Sequence, residues 1–85
     1  MTSLTIFVDA AQYASAKELH LALKMMLDLP EHYGCNADAL YDCLSERVGK
    51  SVNLLILSPG EGDVAEALRK VVHVIEDLGG DTKIL

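Results

Sequence analysis

The sequence predicts an α/β domain, a small three-stranded parallel sheet packed against helices. Three runs rich in apolar and β-branched residues, Leu4–Val8, Val52–Leu57 and Thr82–Leu85, have strand character. Between them lie stretches of helical spacing, opened by capping signals and closed by Pro or Gly. The resulting order, β-α-α-β-α-β, implies crossover connections rather than hairpins, and crossovers make neighbouring strands parallel.

Each element has its own warrant. LTIFV at Leu4–Val8 is a strand buried on at least one face. Ser15 and Glu18 form a capping box that opens the first helix, and its apolar stripe is Leu19, Ala22, Leu23, Met26 and Leu27. Pro30 stops that helix by about Asp28. Gly34 supplies a turn, and Asn36 is the N-cap of a helix from Ala37 to about Glu46 whose inner face is Ala39, Leu40, Cys43 and Leu44. VNLLIL at Val52–Leu57 is a buried strand, and SPGEG at Ser58–Gly62 is a turn. Asp63 and Glu66 form a second capping box, and the following helix turns Val64, Leu68, Val71, Ile75 and Leu78 inward. Gly79 and Gly80 end it, and a short strand closes the chain.

Eighty-five residues make one domain, residues 1–85, with a core of modest size. At 51% hydrophobic and 24% charged, the composition is that of a globular chain. No apolar run reaches the roughly 20 residues of a membrane-spanning helix. The N-terminus has no basic region and meets an acid at Asp9, so it does not read as a signal peptide. Two cysteines are no disulfide framework, and a reducing cytoplasm is the expected setting.

Net charge is −6. Five acids (Asp28, Glu31, Asp38, Asp42 and Glu46) and one base (Arg47) place −4 of it between residues 28 and 47. Phosphates would be repelled there, which argues against nucleic acid as a direct ligand. A basic protein partner fits instead, with fast, salt-sensitive association. The bland alternative is a solvated acidic face that aids solubility.

The acidic stretch contains one organised feature. Asp38 and Asp42 are four residues apart on a predicted helix, so their side chains are neighbours, and Tyr41 lies beside them. Both carboxylates lie early in a short helix, where the dipole favours their charged forms. They suit a standing charge better than proton transfer, which would need a cleft and separated pKa values. His32 and Cys35 could form a base and nucleophile, but no third orienting group is evident. His20, His32 and His73 are too scattered to serve as metal ligands with the cysteines, and no cofactor is expected. Gly60-Glu61-Gly62 lacks the Lys and Ser/Thr of a phosphate loop.

The stretch Leu19–Leu44 carries a family pattern: Leu19-His20, then Leu29-Pro30-Glu31, Tyr33-Gly34, Asn36, and Asp38 through Cys43. With these residues the chain resembles the barstar family, intracellular inhibitors of barnase-type ribonucleases. The specific match covers about a third of the chain. The resemblance implies a barstar-like fold, no catalytic activity, and one-to-one inhibition of a basic extracellular or toxin-type ribonuclease by plugging its active site. It implies that Asp42 takes the place of a substrate phosphate among Arg and His groups, that Asp38 pairs with basic groups at the rim, and that Tyr41 packs beside them. It assigns further contacts to His32, Gly34 and Asn36. Tyr41 stands where the family has Trp, and His32 stands where it has Tyr. The last-helix position that carries a contacting Glu in the family aligns with Val74. A barstar-fold module that binds some other basic protein is the alternative reading.

Overall fold

The computed structural model describes residues 2–47 and 50–85. Strands β1 (Thr2–Asp9), β2 (Lys50–Ser58) and β3 (Asp81–Ile84) form one sheet in the order β1-β2-β3, with both pairs parallel. Helices α1 (Ala16–Leu27) and α2 (Ala37–Ser45) lie in the first crossover, and α3 (Gly62–Asp77) in the second. The predicted α/β class and element order are those observed. One turn of 3-10 helix at Ala10–Gln12, capped by the Asp9 carboxylate, is an addition.

The strand order never reverses. Right-handed crossovers in such a sheet bring every helix to the same face. Alternation along the strands agrees: Ile6, Val8, Leu54 and Ile56 are buried, while Phe7 and Leu57 are exposed. An order without reversal also has no switch-point crevice, the usual ligand site of open α/β sheets.

Each helix buries the stripe expected of it. Leu19, Leu23 and Leu27 are fully enclosed, with Met26 packed against the core. Leu40 and Leu44 anchor α2, with Ala39 and Cys43 half-buried beside them. Val64, Leu68, Val71 and Ile75 seat α3, and Ala67 and Val74 join them in the core. At roughly 25 cal/mol per Å² of apolar area, each enclosed leucine contributes on the order of 2 kcal/mol.

One capping expectation is corrected. Ser15 accepts from the Glu18 N–H at 3.2 Å, as predicted, but Asp63 does not cap α3. The helix begins at Gly62 with Glu61 as its N-cap, so Asp63 is already inside the first turn. Its carboxylate instead accepts from the Ala16 N–H, 3.2 Å away at the start of α1. Those first helical N–H groups have no partner within their own helix, and a carboxylate there also meets the positive end of the dipole.

Candidate functional site

Helix α2 stands as a ridge on the helical side. Leu40 and Leu44 hold its inner face, which leaves Asp38, Tyr41 and Asp42 on the outer face, all exposed. The spacing predicted this, and the helical geometry produces it. Asn36 sets where the ridge begins: its Oδ1 accepts from the Ala39 N–H at 2.8 Å, and its Nδ2 donates to the Gly34 carbonyl at 3.2 Å. One side chain thus caps α2 and fixes the turn before it. Among the described residues, neither Asp38 nor Asp42 has a salt-bridge partner.

A groove runs along each side of the ridge. One, of about 710 Å³, is lined by His32, Gly34, Asp42, Glu46 and Arg47 together with the half-buried Ala39 and Cys43. The other, of about 610 Å³, lies between α2 and α3 and includes Asn36, Asp38, Asp63, Lys70 and His73. The six sequence-predicted site residues therefore divide. His32, Gly34 and Asp42 share the first groove, Asn36 and Asp38 share the second, and Tyr41 lines neither. His32 and Cys35 line different grooves, so they do not form a nucleophile–base pair. No cluster of three metal-ligating side chains occurs among the described residues.

The loop leading into α2 is held at four points. Asp28 closes α1 in the left-handed conformation, with φ 52° and ψ 52°, and the Leu29 N–H returns to the Lys24 carbonyl at 2.9 Å. That turn leaves the Asp28 carbonyl facing Arg47, whose Nη2 donates to it at 3.0 Å. Arg47 thereby ties the end of α2 to the end of α1, and its Nη2 is engaged by a backbone oxygen. Lys24 and Glu31 form a surface pair at 3.3 Å, too solvated to contribute much.

The strongest tie is buried. His20 Nδ1 lies 2.6 Å from the Tyr33 hydroxyl, with the two residues 4% and 6% exposed. Burial lowers the His20 pKa below its ordinary 6.5 and, with smaller effects from Cys35 and Cys43, raises that of Tyr33. Both groups are therefore held neutral, a hydrogen-bonded pair rather than an ion pair. The clue in the sequence was a polar residue on an otherwise apolar helix face. Its partner, thirteen residues away in a loop without periodicity, gave no clue.

The site so described is a charged ridge between two grooves. Two comparisons with known proteins bear on it. The family model described as "Barstar (barnase inhibitor)" matches residues 4–83. A Bacillus subtilis (strain 168) protein described as "Putative ribonuclease inhibitor YrdF" is 31% identical over 81 residues, covering 85% of this chain and 89% of that protein.

Proposed function

The chain belongs to the barstar family, and on that footing we propose that it inhibits a basic bacterial ribonuclease by seating α2 and the loop before it in the enzyme's active site. Inhibition is by occlusion, one-to-one and without chemistry. The observation that carries this reading is the pair of exposed carboxylates on the α2 ridge, neither of them ion-paired among the described residues.

Asp42 is the phosphate mimic. Its carboxylate stands at the edge of a groove wide enough for side chains of a partner, and two oxygens in one plane suit a bidentate Arg contact. Desolvating such a pair is favourable only where both charges find partners. A ribonuclease active site supplies them, because it is built to hold a phosphodiester. Asp38, one turn earlier, meets basic groups at the rim, and Tyr41 packs beside them. His32 and Gly34 line the opposite wall, and Asn36 holds the register of ridge and loop.

The test is inhibition of the target ribonuclease by wild type and Asp42→Ala. Hot-spot residues, which cluster near the centre of an interface, lose about 2 kcal/mol or more on truncation, a range to which the barnase–barstar pair itself contributes. Asp42→Ala is expected to weaken inhibition by at least about thirtyfold, with a steep salt dependence in the wild type that the variant partly loses. An affinity unchanged within about threefold would rule out the plug.

A further inference from the structure

Strand β1 is an open edge. Among the described residues the sheet gives it a neighbour on one side only, along all eight residues from Thr2 to Asp9. Sheets blunt such edges with short strands, Lys, Pro or bulges, because the free N–H and C=O groups recruit another chain. From Ser3 to Val8 this strand has no charge and no Pro, and its register shift falls at the end, between Val8 and Asp9. Leu4 and Phe7 are 42% and 56% exposed along it. The other edge, β3, is blunted: it has four residues, Asp81 and Lys83 among them.

The helix beside this edge is apolar on the matching flank. Helix α3 packs on β2, β3 and α1, which leaves α1 the β1 end of the helix layer. Leu19, Leu23 and Leu27 hold α1 in the core, and Ala16 and His20 line the groove shared with α2 and α3. At about 100° per residue, Ala22, Met25 and Met26 fall on the opposite flank. Met25 is 83% exposed, and Ala22 and Met26 are half-buried.

A second copy of the chain fits this wall. An antiparallel β1 ladder about a two-fold at Thr5 sets Leu4 opposite Ile6, and Phe7 opposite Ser3, of the other copy. Neighbouring strands lie about 4.8 Å apart, so each α1 comes to about 10 Å from its copy, the distance of packed helices. Strand and helix together make a wall about 26 Å long and 20 Å high. That is on the order of 500 Å² per copy, about the 1,000 Å² in total that a specific interface needs. Charge permits the approach. The net −4 between residues 28 and 47 lies on α2 and its flanking loops. The acids of the wall are Asp9, at the end of β1, and Glu18, in the first turn of α1 and toward the same end of the strand. An antiparallel arrangement carries both to opposite ends from their copies.

We propose that the β1 edge, flanked by Ala22, Met25 and Met26, is a self-association surface that joins two copies into one six-stranded sheet about a two-fold at Thr5. Helix α2 packs on α3, away from β1, so both Asp42 ridges stay uncovered, and the inference stands apart from the inhibitor reading.

The test is sedimentation equilibrium of the full chain up to about 1 mM, the weak end of specific affinity. Wild type should pass from a mass of 9.2 kDa to twice that. Thr5→Lys sets like charges opposite one another, and Met25→Lys charges the α1 flank. Each should raise the dissociation constant of the dimer by about tenfold or more. Ile84→Lys makes the same charge change on the other edge, at a side chain 66% exposed. It should stay within about threefold. An equimolar mixture of Thr5→Lys and Thr5→Glu should recover the dimer as a mixed pair, which a folding defect would not produce. Wild type that stays monomeric up to about 1 mM overturns the inference. So does a dimer that Ile84→Lys weakens as much as Thr5→Lys does, and so does a mixture that stays monomeric.

Discussion

His20 Nδ1 and the Tyr33 hydroxyl, 2.6 Å apart and both enclosed, join the buried face of α1 to the loop that presents α2. Whichever atom carries the proton, a neutral pair in a dry site is satisfied only as long as both members are present. Tyr33→Phe keeps the ring and removes the partner, leaving a buried imidazole nitrogen unpaired. That costs about 1–3 kcal/mol. The urea midpoint should fall by a matching amount with the m-value unchanged. Faster amide exchange at residues 31–36 than in α3 would show that the loss is centred on the loop. A midpoint equal to that of wild type would mean that the pair contributes nothing.

The same pair makes stability depend on pH. Folding lowers the pKa of His20, so below its ordinary value of 6.5 the unfolded chain takes up a proton that the folded chain refuses. The unfolded state then binds more protons, and stability falls as the pH falls. The contribution is complete above pH 6.5 and is lost progressively below it, toward the lowered folded value. Urea midpoints at intervals from pH 7.5 to 5.5 should decline for wild type. His20→Gln should decline less over the same window, and parallel curves for the two proteins would show that His20 is not the titrating group.

Among the described glycines, Gly80 has the least room for a side chain. A Cβ placed there would sit 2.0 Å from the Val52 carbonyl oxygen and 2.8 Å from Ile75 Cγ2. The oxygen belongs to the central strand and cannot retreat without disturbing the ladder to β1. Gly80→Ala should therefore cost more than about 3 kcal/mol, a large share of what a domain of this size has. Gly79 has φ 89° but open space around it. Gly79→Ala should carry only the strain of the left-handed backbone, about 1–2 kcal/mol. Thermal or urea unfolding of the two variants should rank them in that order.

The sequence made legible what is local and periodic. The strand runs, the inward stripes of the three helices, the Ser15 cap and the Asn36 cap depend on residues within four positions of one another, and they appear where expected. So does the shared exposure of Asp38, Tyr41 and Asp42, which follows from their spacing once Leu40 and Leu44 face inward. Features that depend on packing between elements were not legible. Asp63 fits a capping pattern in sequence, yet its carboxylate is taken by α1, forty-seven residues away. Arg47 looked like a lone base in an acidic stretch, and its role follows from the Asp28 carbonyl that the left-handed turn exposes. The two grooves exist only because α2 stands between the loop and α3.

Asp38 and Asp42 should separate under mutation, because stability and binding draw on different parts of the same ridge. Asp38 lies in the first turn of α2, near the free N–H groups and the positive end of the dipole. Asp38→Asn removes that interaction and should lower stability by about 0.3–1 kcal/mol. Asp42 is a turn further in, where the dipole is weak, and Asp42→Asn should leave the urea midpoint nearly unchanged. For affinity the order reverses. Asp42 stands at the centre of the proposed contact and Asp38 at its rim, and a central desolvated charge acts on dissociation whereas a rim charge acts mainly on association. Asp42→Asn should raise the dissociation rate of the ribonuclease complex by about tenfold or more. Asp38→Asn should chiefly slow association, in a salt-dependent way. Stopped-flow association and dissociation rates, measured beside urea midpoints for both variants, test the separation. If both variants lose affinity in proportion to stability, the ridge acts only through folding, and the assignment of Asp42 as the phosphate mimic fails.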